Sequence, residues 1–191
     1  MLLDELPSGT EVVFNDWGML GAIQKKNLVP VCGRLLVAIE RDPRVAGQGA
    51  GEREFRTSSL SAEPFSDLLL SRGVVRVELD NVEQGYDFTP RRGMRFSLHY
   101  PFVYITVTRK CIMARADAPL PRGKVPVGGD CSYECSGMEI EASVGDCPRR
   151  IVLKGNAQFY RNRNDGPGTL HPGVDRLVYS PGLPFPSSPP R

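Results

Sequence analysis

Short apolar runs separated by polar, glycine- or proline-bearing connections set the rhythm of this chain. Residues 11–14 are a compact apolar run predicting a strand, and the polar pair Asn15–Asp16 follows it. A helical periodicity of about ten residues comes next, which either Asn15 or Asp16 is suited to cap. Residues 33–40 predict a second buried strand. Residues 41–59, rich in Gly, Arg and Ser and without apolar periodicity, predict a flexible excursion. A helix is then expected from Ser61, with Pro64 near its first turn and Gly73 as its stop. Further strands are predicted over 74–81, 94–100 and 102–108, the last two parted by Pro101, which cannot donate to a central ladder. Residues 150–156 and 175–181 supply two more. The Pro- and Ser-rich residues 181–191 predict a disordered tail.

Strands alternating with helical or irregular connections predict an α/β fold, with mainly parallel strands in a sheet or barrel. The 191 residues suit one domain over residues 1–180. Six or seven strands are enough for most of a barrel, although a full (β/α)8 barrel takes about 250 residues.

Charge and composition remove several function classes. The formal net charge is +2, with acidic and basic residues interspersed, so there is no electrostatic footprint for nucleic acid. No apolar run approaches the roughly 20 residues that span a bilayer. The N-terminus carries Asp4 and Glu5 where a signal peptide would be basic. A cytoplasmic location is therefore expected, and there cysteines are read as ligands or catalysts before disulfides.

The candidate chemistry lies in the cysteines. Cys111, Cys131, Cys135 and Cys147 run C-x19-C-x3-C-x11-C. Thiolates favour zinc, copper(I) and iron–sulfur clusters. A structural zinc site usually brings two C-x2-C knuckles, and this chain has none. A 4Fe–4S cluster tolerates irregular spacing, and the glycine-rich loop VGGDCSYECSG allows close backbone approach to sulfur. The bland alternative is four buried thiols. Cys32, at the edge of an apolar run, reads as core.

In α/β sheets functional groups gather at the carboxyl ends of strands. Asn15 and Asp16, then Glu78, Asp80 and Asn81, then Lys154 and Asn156 occupy such predicted ends, and Arg109 lies where the cysteine segment begins. These are the candidate substrate-binding residues. The plainer reading makes Asp16 a helix cap and Asp80–Asn81 a turn. No G-x-S-x-G, H-E-x-x-H or P-loop motif is present, so no catalytic residue is assigned.

The segments VVFNDWGML, VELDN, YITVTRKCIMARAD, CSYEC and LKGNAQFY together resemble peptidase family U32, near its branch of anaerobic ubiquinone-hydroxylation accessory proteins. The resemblance covers residues 11–179. It implies a TIM-barrel-like fold carrying a 4Fe–4S cluster, partial or shortened here because the chain begins partway through the family's barrel. Cys111 matches the R-x-C cysteine, and Cys131 and Cys135 match the C-x3-C pair. Cys147, or less readily Cys32, is left as the fourth ligand. Members are associated with oxygen-independent hydroxylation of ubiquinone precursors or RNA bases, and others are collagenase-like peptidases. An open barrel edge implies a protein partner or a homo-oligomer. The alternatives to a redox role are a peptidase-like hydrolase and a zinc-stabilised or partner-binding protein.

Overall fold

The structure, a computed structural model, describes residues 2–45, 53–108, 139–162 and 170–183. Its elements, in chain order, are β1 (Glu11–Phe14), α1 (Trp17–Lys25), β2 (Val29–Cys32), α2 (Arg53–Arg56), α3 (Glu63–Ser71), β3 (Arg76–Asp80), β4 (Arg95–Tyr100), β5 (Phe102–Val107), β6 (Ile140–Ala142), β7 (Ile151–Lys154), β8 (Ala157–Arg161) and β9 (Val174–Tyr179). Five strands form a sheet in the order β1-β2-β3-β4-β9, and every neighbouring pair is parallel. The other four form an antiparallel sheet in the order β5-β8-β7-β6. The α/β class therefore holds, but the parallel character is confined to the first sheet.

Local chemistry explains where the helices start and stop. Asp16 caps α1, its carboxylate accepting the Gly18 N–H at 2.6 Å, which satisfies an amide the helix leaves open. In α3, Pro64 sits in the first turn, where its missing N–H is not needed. At the other end Gly73 takes φ +70°, and the Gly73 and Val74 amides close back onto the Leu70 and Leu69 carbonyls. Both helices cover one face of the parallel sheet. Leu20 and Ile23 of α1 and Leu69 of α3 join Phe14, Cys32, Val77, Leu79, Phe96 and Leu98 in one buried cluster. Each large apolar side chain there contributes on the order of 1.5–3 kcal/mol. Because strand side chains alternate, Arg76, Glu78 and Asp80 point to the opposite face.

The antiparallel sheet caps the carboxyl edge of the parallel one. β4 passes into β5 through a cis Tyr100–Pro101 peptide bond. Val103 of β5 and Tyr160 of β8 join the main core. The Asn162 side chain donates to the Asn81 carbonyl at 2.8 Å, and the Arg149 Nε donates to Glu83 at 2.9 Å. A second small core holds Val152, Ala157, Phe159 and Leu183.

Three expectations change. Residues 33–40 are not a strand: the second strand is β2, and Arg34–Leu36 turn into a short 3-10 helix. The excursion expected over 41–59 is anchored in its described parts, with α2 at Arg53–Arg56 and a bridge between Ile39 and Ser58. Leu183, expected in a disordered tail, is buried in the second core, while 184–191 lie outside the described residues. No helix among the described residues is long and apolar enough to cross a membrane.

Candidate functional site at the carboxyl edge of the parallel sheet

Asp80, the last residue of β3, organises the edge. Its carboxylate is fully buried and meets two guanidinium groups, Arg34 Nη1 at 2.8 Å and Arg41 Nε at 2.9 Å. The Tyr104 N–H of β5 donates to the same carboxylate at 3.2 Å, and the Tyr86 hydroxyl donates to the Asp80 carbonyl at 3.1 Å. Arg41 also donates to the Arg34 and Val37 carbonyls at 2.8 and 2.7 Å. It thereby clamps the loop after β2 around Asp80, and its guanidinium lies 5.9 Å from the centre of the Tyr104 ring. Two cations against one carboxylate leave this corner with a surplus positive charge.

The ends of β1 and β2 are stitched together beside it. Asn15 Oδ1 accepts the Leu35 N–H at 3.2 Å, and the Gly33 N–H reaches the Phe14 carbonyl at 2.8 Å. A Cβ at Gly33 would stand 2.2 Å from Asn15 Oδ1, so only glycine lets the two loops approach. Asn15 therefore works as a loop clamp, and Asp16 as a helix cap.

One layer further in, His99 Nε2 lies 3.0 Å from Glu78 Oε1, with both side chains largely buried. The approach is not aligned as a hydrogen bond. Cys32 is buried nearby, and loss of solvation, with a smaller contribution from the Glu78 charge, pushes its thiol up to about 12. It stays a neutral core thiol.

A cleft of about 890 Å³ opens between the loop after β2 and the antiparallel sheet, within the range of small-molecule sites. Ile39, Ile105 and Leu153 line its apolar wall, and Arg41, Arg44 and Cys147 stand at its polar side. Arg41 thus belongs both to the cleft and to the Asp80 cluster. Cys147 is half-buried and free, in the β6–β7 connection, close enough to Arg44 for their charges to interact.

The structure brings Asn15, Asp80, Asn81 and, on the open face just inside, Glu78 to one edge. Asn81 is buried and holds β4 through its N–H to the His99 carbonyl, at 3.1 Å. Lys154 and Asn156 are not at a parallel strand end. They belong to the β7–β8 hairpin, where Asn156 Nδ2 donates to the Thr108 carbonyl at 2.9 Å. Their apolar run reads like a parallel strand, but its partners are antiparallel. Arg109, Cys111, Cys131 and Cys135 lie outside the described residues. Among the described residues no three His, Cys, Asp or Glu side chains gather as a metal site. Sequence reasoning missed Arg34, Arg41 and His99. The local signal was an arginine at each end of a run that ends before a strand-terminal aspartate.

Comparison with protein-family models, with characterised proteins and with solved structures finds no match to this chain.

Proposed function

We propose that this protein is an iron–sulfur protein of the peptidase U32 type, taking part in oxygen-independent hydroxylation as an enzyme or accessory subunit. The observation that carries the reading is the position of Cys147. Its free thiol faces the same cleft as Arg41, whose other contacts hold the carboxyl edge of the parallel sheet. A soft thiol donor at the wall of a partly apolar cleft fits a 4Fe–4S cluster. Cys111, Cys131 and Cys135 would complete the ligand set. The segment carrying them leaves the antiparallel sheet after β5 and rejoins it at β6, and that sheet lines the cleft. When bound, the cluster supplies one-electron chemistry beside the cleft.

The chain's own residues have separate work. Arg41 and Asp80 hold the loop after β2 as one wall, while Ile39, Ile105 and Leu153 exclude water from the apolar part. The strand order supports the shortened barrel of the resemblance: each parallel strand is added on the same side of the last, with both crossover helices on one face. A doubly wound sheet would reverse direction. The outer strands β1 and β9 have no further partner within the parallel sheet. Val13 on β1 and Leu177 and Tyr179 on β9 are exposed, which favours a protein partner or a second copy at an edge.

Anaerobic purification followed by iron, acid-labile sulfide and zinc analysis tests the reading. About four irons and four sulfides per chain are expected. Zinc without sulfide would replace the redox role with a structural metal, and no metal at all would end it.

A further inference from the structure

The buried charges on the open face of the parallel sheet are of two kinds. Asp80 and Arg76 are fully engaged by the fold. Asp80 has its two arginines, while Arg76 forks onto Asp175 at 2.6 and 3.0 Å and donates to Ser97 Oγ at 3.2 Å. Glu78 and His99 are held differently. The β3–β4 register sets Glu78 beside Ser97 and Asp80 beside His99. Val77, Leu79 and Leu98 face the helices, so Glu78 and His99 share the other face. Their side chains keep 13% and 15% exposure. The buried His99 Nε2 has no hydrogen-bond partner among the described residues, although a carboxylate oxygen stands 3.0 Å away. Polar groups left in this condition are exceptional in folded proteins, and functional sites are one place they occur.

The surroundings leave the two side chains to each other. From β3 come Arg76, committed to Asp175 and Glu11, and Asp80, committed to Arg34 and Arg41. From β9 comes Arg176, paired with Glu11, and the register partner of His99 there is the uncharged Val178. From β2 come apolar Val31 and the neutral thiol of Cys32.

We propose that Glu78 and His99 form a proton-transfer pair serving a ligand bound on the open face of the parallel sheet. The ligand class is a molecule with a weakly acidic O–H or N–H. Its proton passes to the unprotonated ring nitrogen of His99, and the ligand keeps the bonding electrons as an anion. The Glu78 carboxylate stands beside the imidazolium that forms. Return of the proton restores both partners, and no oxidant or further reactant enters. The pair is independent of the iron–sulfur reading, since neither residue adjoins a proposed cluster ligand.

Acylation of the full chain by diethyl pyrocarbonate, which attacks accessible unprotonated imidazoles, tests this directly. The chain has only two histidines, so peptide mass spectrometry reports both. His171 is the internal control, with its ring nitrogens 2.7 and 3.0 Å from backbone carbonyls and its ring stacked on Phe88. His99 is expected to react faster than His171. Glu78→Gln should slow His99 roughly fivefold while leaving the His171 rate and the melting temperature in place. If Glu78→Gln lowers the melting temperature, Glu78→Asp, which keeps the charge but withdraws it, should slow His99 as well. A His99 no more reactive than His171, or one whose rate ignores Glu78, would overturn the assignment.

Discussion

At the scale of single residues, burial rather than residue type decides what the described cysteines do. Cys32 and Cys147 are both free, but Cys32 is sealed in the core and its thiol is raised from an ordinary 9.0 to about 12. Alkylation of the native protein with iodoacetamide at neutral pH is therefore expected to label Cys147 and spare Cys32. The same shift has a stability consequence. A thiol held protonated in the fold contributes stability that is fully present below pH 9 and is lost as pH rises toward 12. Chemical denaturation of wild type and Cys32→Ala should show this alkaline loss in wild type and a shallower one in the variant. Parallel curves for the two would contradict it.

At the scale of elements, ion networks tie together strands that are distant in sequence. Asp80 joins β3 to the loop after β2 and to β5. Asp80→Asn leaves two largely buried guanidiniums without their carboxylate and is expected to destabilise the fold by about 3–5 kcal/mol, read from denaturant midpoints. A loss below ~1 kcal/mol would mean that the arginines find other partners. Across the opposite end of the sheet, hydrogen bonds from Arg176 and Arg76 hold the Glu11 and Asp175 carboxyls, respectively, below the usual carboxylate range. Groups depressed in this way stabilise above their unfolded pKa, and the contribution disappears as pH falls through the folded value. Stability should therefore drop in acid, and Asp175→Asn should flatten that drop, modestly because both carboxylates are well exposed to solvent.

This is also the scale at which the sequence was most and least readable. β1, α1 and α3 were legible because caps and stops are local signals: Asp16, Pro64 and Gly73 each act on their own neighbours. β2 was hidden by Pro30, which argues against a central strand yet sits paired with Val12 between β1 and β3. The apolar run after Gly33 looked like a strand, but Arg34 and Arg41 must both reach Asp80, and that tertiary demand wraps it into a turn. Asp80 itself was visible as a polar strand end. Its arginine partners were not, because nothing in their own segment points to β3.

For the whole molecule, two sheets of different kinds meet at the carboxyl edge of the parallel one. The antiparallel sheet brings a cleft and Cys147 to that edge, through contacts centred on Asp80, Asn81 and Glu83. That convergence is the reason for placing a cluster there. The most direct measurement is the iron and acid-labile sulfide content of anaerobically purified Cys147→Ser beside wild type and Cys32→Ser. Wild type and Cys32→Ser should carry about four of each per chain. Cys147→Ser should carry clearly less, with reduced visible absorbance. Equal cluster content in Cys147→Ser and wild type, or none in wild type, would contradict the account.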